Sequence, residues 1–210
     1  SPAVQGTITS INAAFAESKI TGLAGSAVTI TGGATVAQIN ALNTTGVITA
    51  TVTDGSVTAL DGLTETTNAL SLSVTDASID ANTLVALTSK TTGLVNVSST
   101  STLTGTVAEI TAAIGHAGIS GADTMAVSVT GSITVTQADA VHALTSGVVS
   151  ATISDTDLDT LLNLDTGNNW TVTVDKQTAD NPDTANSELV TTLDVGNINT
   201  LNGLTNEVVT

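Results

Sequence analysis

The segment from Val47 to Gly93 contains one pattern twice, and this repetition constrains the fold more than any other feature of the sequence. Each copy begins with alternating apolar and polar residues that end in Val-Thr-Asp. Apolar residues about three positions apart follow, and a polar turn closes the copy. Alternation predicts a strand, whereas spacings of three and four predict one face of a helix. Since a unit of this length cannot bury its apolar side alone, the repetition predicts units that stack on one another.

The same pattern recurs along the chain with a period near 22 residues. Aligning the last apolar residue of each strand-like run gives spacings of 22, 22, 23, 32, 24, 21 and 19 residues. These residues are Ile30, Val52, Val74, Val97, Val129, Ile153, Val174 and Leu193. The period predicts a β/α solenoid of about eight coils that forms a single domain over residues 1–210. A parallel β-sheet is expected on one side of it and short α or 3-10 helices on the other.

The two ends of the chain and two insertions interrupt this pattern. Residues 7–18 predict a helix without a preceding strand, and residues 207–210 predict a strand without a following helix. Since repeat arrays end in caps, the sequence predicts a segment of a longer array, or copies that stack end to end. Residues 116–123 are predicted to form a surface loop, and residues 175–188 an acidic loop insertion of the kind that sometimes carries function.

Two sequence positions predict the start of a helix through a capping box. Thr35 is followed by Gln38, and Thr106 is followed by Glu109, each three residues later and just before an apolar run. In this motif the threonine hydroxyl and the Gln or Glu side chain each bind an amide that the helix leaves without a partner. Helices are therefore expected to begin directly after Thr35 and Thr106.

Composition restricts the partners that the chain is expected to bind. Three Lys, no Arg and 19 acidic residues give a net charge of -16. Nucleic acid is not an expected partner, because its binding depends on Lys and Arg that neutralise phosphates. No apolar run approaches the length of a membrane span, so membrane insertion is not expected either. The absence of Cys excludes disulfides and cysteine-ligated zinc.

Aspartates follow the strand-like runs of several repeats and predict a cation site. Equivalent residues of stacked strands lie about 4.8 Å apart, so their charges repel unless a cation lies between them. Carboxylate oxygens are the ligands that Ca²⁺ prefers. The predicted calcium ligands are Asp54, Asp76, Asp155, Asp175, Asp180 and Asp183. The alternative is that each aspartate forms a turn through contacts with its own backbone.

Pairs of Thr or Ser flank the apolar positions of the same runs and predict an exposed hydroxyl face. The pairs are Thr29 and Thr31, Thr51 and Thr53, Ser73 and Thr75, Ser128 and Thr130, Thr152 and Ser154, and Thr171 and Thr173. Such a face resembles the ice-binding surface of β-solenoid antifreeze proteins. Threonine is also favoured on the solvent side of any strand. Binding of ice or of another ligand, through this face or through residues 175–188, is the alternative function.

Catalytic motifs are absent from the sequence, and an enzyme is not expected. His116 and His142 lie in different repeats, and neither has a Ser or Asp partner at the spacing of a known motif. The sequence contains neither a Gly-x-Ser-x-Gly elbow nor a phosphate-binding loop. His142, within QADAVHAL, is predicted to lie on the face of a helix.

Several repeats resemble those of a group of very large bacterial proteins. The segments LTGTVAEITAAI, ITVTQADAVHAL, VVSATISDTDLDTL and LSLSVTDASIDANTLVALTSKTTG are similar to repeat arrays of giant secreted and cell-surface proteins of cyanobacteria and other marine bacteria. Many of those proteins also carry calcium-binding nonapeptide arrays, as RTX adhesins do, and the strand-plus-helix unit is leucine-rich-repeat-like. The resemblance implies an extracellular or cell-surface protein with a structural or adhesive role, such as a fibre, surface-layer or adhesin spacer segment. The aspartates described above would add stabilisation by calcium.

Overall fold

The computed structural model describes residues 3–42, 44–174, 195–207 and 209, and it alternates short strands with short helices. The strands are β1 Val4–Gly6, β2 Val28–Ile30, β3 Ile48–Thr51, β4 Ala69–Ser73, β5 Ser78–Asp80, β6 Val95–Asn96, β7 Thr102–Gly105, β8 Ile119–Ser120, β9 Ala126–Ile133, β10 Val149–Ile153 and β11 Asn169–Thr171. The helices are α1 Ile8–Ala16, α2 Val36–Asn40, α3 Val57–Asp61, α4 Ala81–Thr88, α5 Val107–Ile114, α6 Val135–His142, α7 Leu158–Leu161 and α8 Val195–Leu204. A 3-10 turn spans Ala122–Thr124.

The strands form two separate parallel sheets rather than one. The first has six strands in the order β1-β2-β3-β4-β6-β8, and the second has five in the order β11-β10-β9-β7-β5. The prediction of a β/α solenoid of about eight coils with one sheet is therefore wrong, and the chain has a mixed α/β fold. The chain divides into two compact units, residues 1–101 with 115–122, and residues 102–114 with 123–210.

The middle of the chain explains why one sheet was predicted and two are observed. From β4 to β9 the strands alternate between the sheets, since β4, β6 and β8 belong to the first and β5, β7 and β9 to the second. Each repeat in this region therefore supplies two strands, whereas the sequence pattern predicts one strand per repeat. The second strand is short, as in β5, where Ile79 is the one apolar residue, and so it gives little periodic signal.

Two further sequence predictions are corrected by the strands. Helix α1 is preceded by β1, which pairs in parallel with β2 from Val4↔Val28 to Gly6↔Ile30, so the first repeat does contain its strand. The predicted loop at residues 116–123 contains β8, which pairs with β6, and the buried residue Ala122. Strands of two or three residues fall below the length at which alternation can be recognised in a sequence.

Both predicted capping boxes are confirmed, and each fixes the first residue of a helix. In α2 the Gln38 amide donates to the Thr35 hydroxyl (3.2 Å), and the Thr35 amide donates to the Gln38 side chain (2.9 Å). Thr106 and Glu109 make the same two contacts before α5. A third capping box, Thr134 with Gln137, begins α6 and was not predicted. These motifs satisfy two of the four amides that open a helix.

Apolar side chains of moderate size fill both units. Leu60, Leu70 and Leu84 of the first unit are fully buried, as are Leu103 and Leu161 of the second. The chain has a single Trp and a single Phe, and Trp170 has no exposed surface. Val, Ile and Leu are the residues expected in buried parallel strands, because the side chains of neighbouring strands lie close together on the buried face.

Three turns share a sequence motif that joins each repeat to the one before it. We call Thr44–Gly46, Thr91–Gly93 and Thr145–Gly147 the threonine turns. In each, the hydroxyl of the threonine donates to a backbone carbonyl of the preceding repeat, and the amide of the glycine donates to that same hydroxyl. The carbonyls belong to Ser26, Leu70 and Met125, respectively. Thr91 and Thr145 are buried and Thr44 is half-buried, so in each turn a polar side chain with satisfied hydrogen bonds packs at the start of a strand.

The glycine of each threonine turn is required by the closeness of the neighbouring backbone. A Cβ at Gly46, Gly93 or Gly147 would overlap the carbonyl oxygen of Ser26, Leu70 or Met125, respectively. Backbone atoms cannot rotate away as a flexible side chain can, so any larger residue must displace the strand. The motif therefore encodes a close approach between two repeats.

Gly147→Ala is expected to lower the free energy of unfolding by about 1–3 kcal/mol, because the added methyl group overlaps the Met125 carbonyl. Urea unfolding followed by circular dichroism measures the difference. Gly203→Ala is the matched control, since a Cβ at Gly203 in α8 meets no atom within 4 Å. The control should be neutral or stabilising by up to about 1 kcal/mol. Equal effects of the two substitutions would contradict the close approach.

Candidate functional site

Asp54, Asp76 and Asp155 occupy equivalent positions, and each binds the first turn of a helix. Asp54 Oδ2 accepts a hydrogen bond from the Val36 amide at 2.7 Å, and Asp76 Oδ2 accepts one from the Val57 amide at 2.8 Å. Asp155 Oδ2 accepts one from the amide of Val135 at 2.7 Å. Val36, Val57 and Val135 are the first residues of α2, α3 and α6. Each aspartate therefore caps a helix that begins 18 to 20 residues earlier.

The aspartates complete helix starts that the local sequence satisfies only in part. At α2 the Thr35 hydroxyl accepts a hydrogen bond from the Gln38 amide, and the Gln38 side chain accepts one from the Thr35 amide. The Val36 amide lies between these two amides in the sequence, and it donates its hydrogen bond to Asp54. A carboxylate at this place also interacts favourably with the positive end of the helix dipole. We call Asp54, Asp76 and Asp155 the cross-repeat caps.

The partner of each aspartate was missed because the register of the sheet differs from the sequence period. Asp54 and Asp76 are 22 positions apart, but Thr51 pairs with Ser71, an offset of 20. Asp76 thus lies further along its repeat than the strand pairing alone would place it. Its oxygen reaches the Val57 amide at the start of α3.

The calcium site stays a prediction. Within the described part of the chain, no group of three or more His, Asp or Glu residues is placed to hold a metal ion. Asp54, Asp76 and Asp155 each use one oxygen as a helix cap. Asp175, Asp180 and Asp183, with the predicted acidic insertion at 175–188, lie outside the described residues.

The predicted hydroxyl face is exposed, but its columns are mixed. Thr29 pairs with Thr49, and Thr49 pairs with Ala69, which ends that column of threonines. On the second sheet Thr152 pairs with Thr171 on one side and with Ser132 on the other. A shallow groove of about 220 Å³ on this face is lined by Ser128, Val129, Ser150, Ala151, Thr152, Asn169, Thr171 and Glu207. The face therefore presents hydroxyls and amides without a regular threonine lattice.

The two histidines each make a local structural contact. His116 Nδ1 accepts a hydrogen bond from the Gly118 amide (3.0 Å), just before β8. His142 lies on a helix, as predicted, and is the last residue of α6. Its Nδ1 lies 3.3 Å from Asn168 Nδ2. Asn168 is fully buried, and its Oδ1 accepts a hydrogen bond from the Val149 amide (2.9 Å).

Asp139 and Lys90 are charged residues that sequence reasoning did not identify. Asp139 lies on α6, and its Oδ1 is buried with no hydrogen-bond partner among the described residues. Burial raises the pKa of Asp139, the carboxylate of Asp165 raises it further, and His142 partly offsets this.

Lys90 Nζ lies 3.0 Å from Asp61 Oδ1 and donates to the Asp61 carbonyl (2.7 Å), so it neutralises the carboxyl end of α3.

Comparison with known proteins found no match: no family model matches the chain, no curated protein is detectably similar to it, and no solved structure resembles it. None of the helices in the described residues combines the length and the apolar character needed to cross a membrane.

Asp76→Ala is expected to lower the free energy of unfolding by about 1 kcal/mol, because the Val57 amide loses its acceptor. The loss should be the same in calcium and in EDTA, since this hydrogen bond needs no metal. Thermal melting in both buffers measures it, and Asp123→Ala, at an exposed aspartate, is the control. A loss that appears only in calcium would instead support the calcium site.

Asp139→Asn is expected to stabilise the protein at neutral pH. A raised pKa means that the folded state holds the Asp139 proton more tightly than the unfolded state, so ionisation of Asp139 reduces stability as the pH rises through that pKa. The advantage of the variant should be present at pH 7 and disappear below the unfolded-state pKa of 3.8. Urea unfolding at pH 7 and pH 3 tests this. Asp123→Asn, at an exposed aspartate, is the control for removal of a surface charge.

Proposed function

We propose that this chain is a non-enzymatic structural segment of an extracellular or cell-surface protein, serving as a spacer, fibre or surface-layer element. One observation carries the proposal: polar side chains at fixed positions bind the backbone of the preceding repeat. Asp54 binds the amide of Val36, and Thr91 binds the carbonyl of Leu70. These side chains therefore join successive repeats.

Three kinds of cross-repeat contact support this role. Aspartates bind the first amide of a helix, threonines bind a carbonyl in a strand or just before it, and asparagines bind the first amide of a strand. The asparagine contacts are those of Asn68 with the Ile48 amide (2.8 Å) and of Asn168 with the Val149 amide. Because both asparagines are buried, their hydrogen bonds are shielded from water. Parallel strands with such side-chain ties resist sliding of one repeat against the next.

The charge of the chain fits the same role. A net charge of -16 keeps an elongated or concentrated structural protein soluble through mutual repulsion. The partners that we propose are flanking repeats, or neighbouring copies that stack end to end. In this proposal calcium acts as a counter-ion of the acidic surface, and nucleic acid is excluded as a partner by repulsion between like charges.

Force spectroscopy on the chain, held between two folded marker domains, tests the structural role. A load-bearing segment should give discrete unfolding events, because cross-repeat hydrogen bonds break together. A chain that extends smoothly at low force, as a flexible linker does, would contradict the proposal.

Thr91→Val is expected to reduce the unfolding force and to lower the free energy of unfolding by about 1–3 kcal/mol. The hydroxyl of Thr91 is buried, donates to the Leu70 carbonyl and accepts from the Leu70 amide (2.8 Å), and valine keeps the shape without these bonds. Thr49→Val, on the exposed face of β3, is the matched control and should leave the force unchanged. Similar losses in both variants would show that the buried hydroxyl is not the cause.

A further inference from the structure

The buried carboxamide of Asn168, the residue before β11, lies against the ring of His142. Asn168 Oδ1 accepts the hydrogen bond of the Val149 amide, which fixes the orientation of the carboxamide. Its Nδ2 group therefore points to His142 Nδ1 and to the Thr166 carbonyl, both at 3.3 Å. In the flipped orientation the Asn168 Nδ2 group would face the Val149 amide, and both are hydrogen-bond donors. The observed orientation is therefore favoured.

The imidazole must accept a hydrogen bond from this fixed donor. In neutral histidine one ring nitrogen is an acceptor and the other carries the proton. When His142 is neutral we therefore expect its proton on Nε2, with Nδ1 facing Asn168. A second proton would turn Nδ1 into a donor directed at the donor Nδ2, and the contact would be lost.

An acceptor for the protonated ring lies on the same helix. Asp139 and His142 are three positions apart on α6, so their side chains lie on one face. Asp139 Oδ1 is buried without a hydrogen-bond partner in the described structure. Asp139 interacts electrostatically with His142 and with Asp165, which lies in the segment before β11.

We propose that His142 is an acid-sensitive latch, which binds Asn168 when neutral and turns to Asp139 when protonated. Histidine is the side chain that ordinarily changes charge between about pH 5 and 8. In the neutral state the latch joins the end of α6 to the residue that precedes β11. In the protonated state Asn168 keeps its bonds to Val149 and Thr166, but the link to α6 is lost.

Nitrogen-15 NMR of the whole chain tests the latch directly. At neutral pH the His142 ring should carry its proton on Nε2, and the Nδ2 resonance of Asn168 should shift on acidification with the same midpoint as the His142 ring. A ring that carries its proton on Nδ1 at neutral pH would overturn the proposal. An Asn168 resonance that does not follow the His142 titration would overturn it as well.

Two variants separate the latch from general effects of acid. His142→Gln should abolish the transition at Asn168, because glutamine offers an acceptor that does not titrate. His116→Gln, at the other histidine, should leave the transition unchanged. Asp139→Asn should move the transition to lower pH, because the protonated ring loses its anionic acceptor. Persistence of the transition in His142→Gln would assign it to another group. If that variant fails to fold, the wild-type tautomer still decides the proposal.

Discussion

The fold depends on a simple requirement: amides at the start of a short helix need acceptors, and helices of four to ten residues have few turns from which to supply them. In this chain the acceptors come from two places. The local sequence supplies a Thr or Ser cap, with a Gln or Glu three residues later in the capping boxes. The repeat that follows supplies an aspartate for one of the two amides that remain, that of the first helical residue. The short helices are thus stabilised by tertiary contacts more than by their own sequences.

Three Lys and no Arg leave most of the 19 acidic side chains without a cationic partner, so the carboxylates need other donors. The one salt bridge among the described residues joins Lys90 to Asp61, and both groups lie at the carboxyl end of α3. Other carboxylates find their partners in backbone amides, as Asp54 and Asp80 do at helix starts. Backbone amides can satisfy a carboxylate without adding a positive residue. A surface with a strong net negative charge is therefore compatible with well-satisfied side chains.

Local features could be predicted from the sequence more fully than the arrangement of sheets. The capping boxes at Thr35 and Thr106 depend on residues three positions apart, and the structure contains both. The division into two sheets depends on strands such as β5 and β8, which have two or three residues and no alternation to recognise. The contact of Asp76 with Val57 depends on how β3 and β4 are aligned. Their residues pair at an offset of 20, whereas the sequence repeats at 22, and no local pattern encodes this difference. The buried oxygen of Asp139 follows from tertiary packing and has no signal in the sequence.

The cross-repeat caps all point in one direction along the chain, from a later repeat to an earlier helix. The first amide of α2 receives Asp54 from 18 residues downstream, and the first amide of α6 receives Asp155 from 20 residues downstream. While the chain emerges from the ribosome, the first amide of each of these helices therefore lacks its aspartate acceptor until most of another repeat has been synthesised. Consolidation of the structure lags the growing end by about one repeat, so the newest repeat is the one that remains open to pairing with another nascent chain.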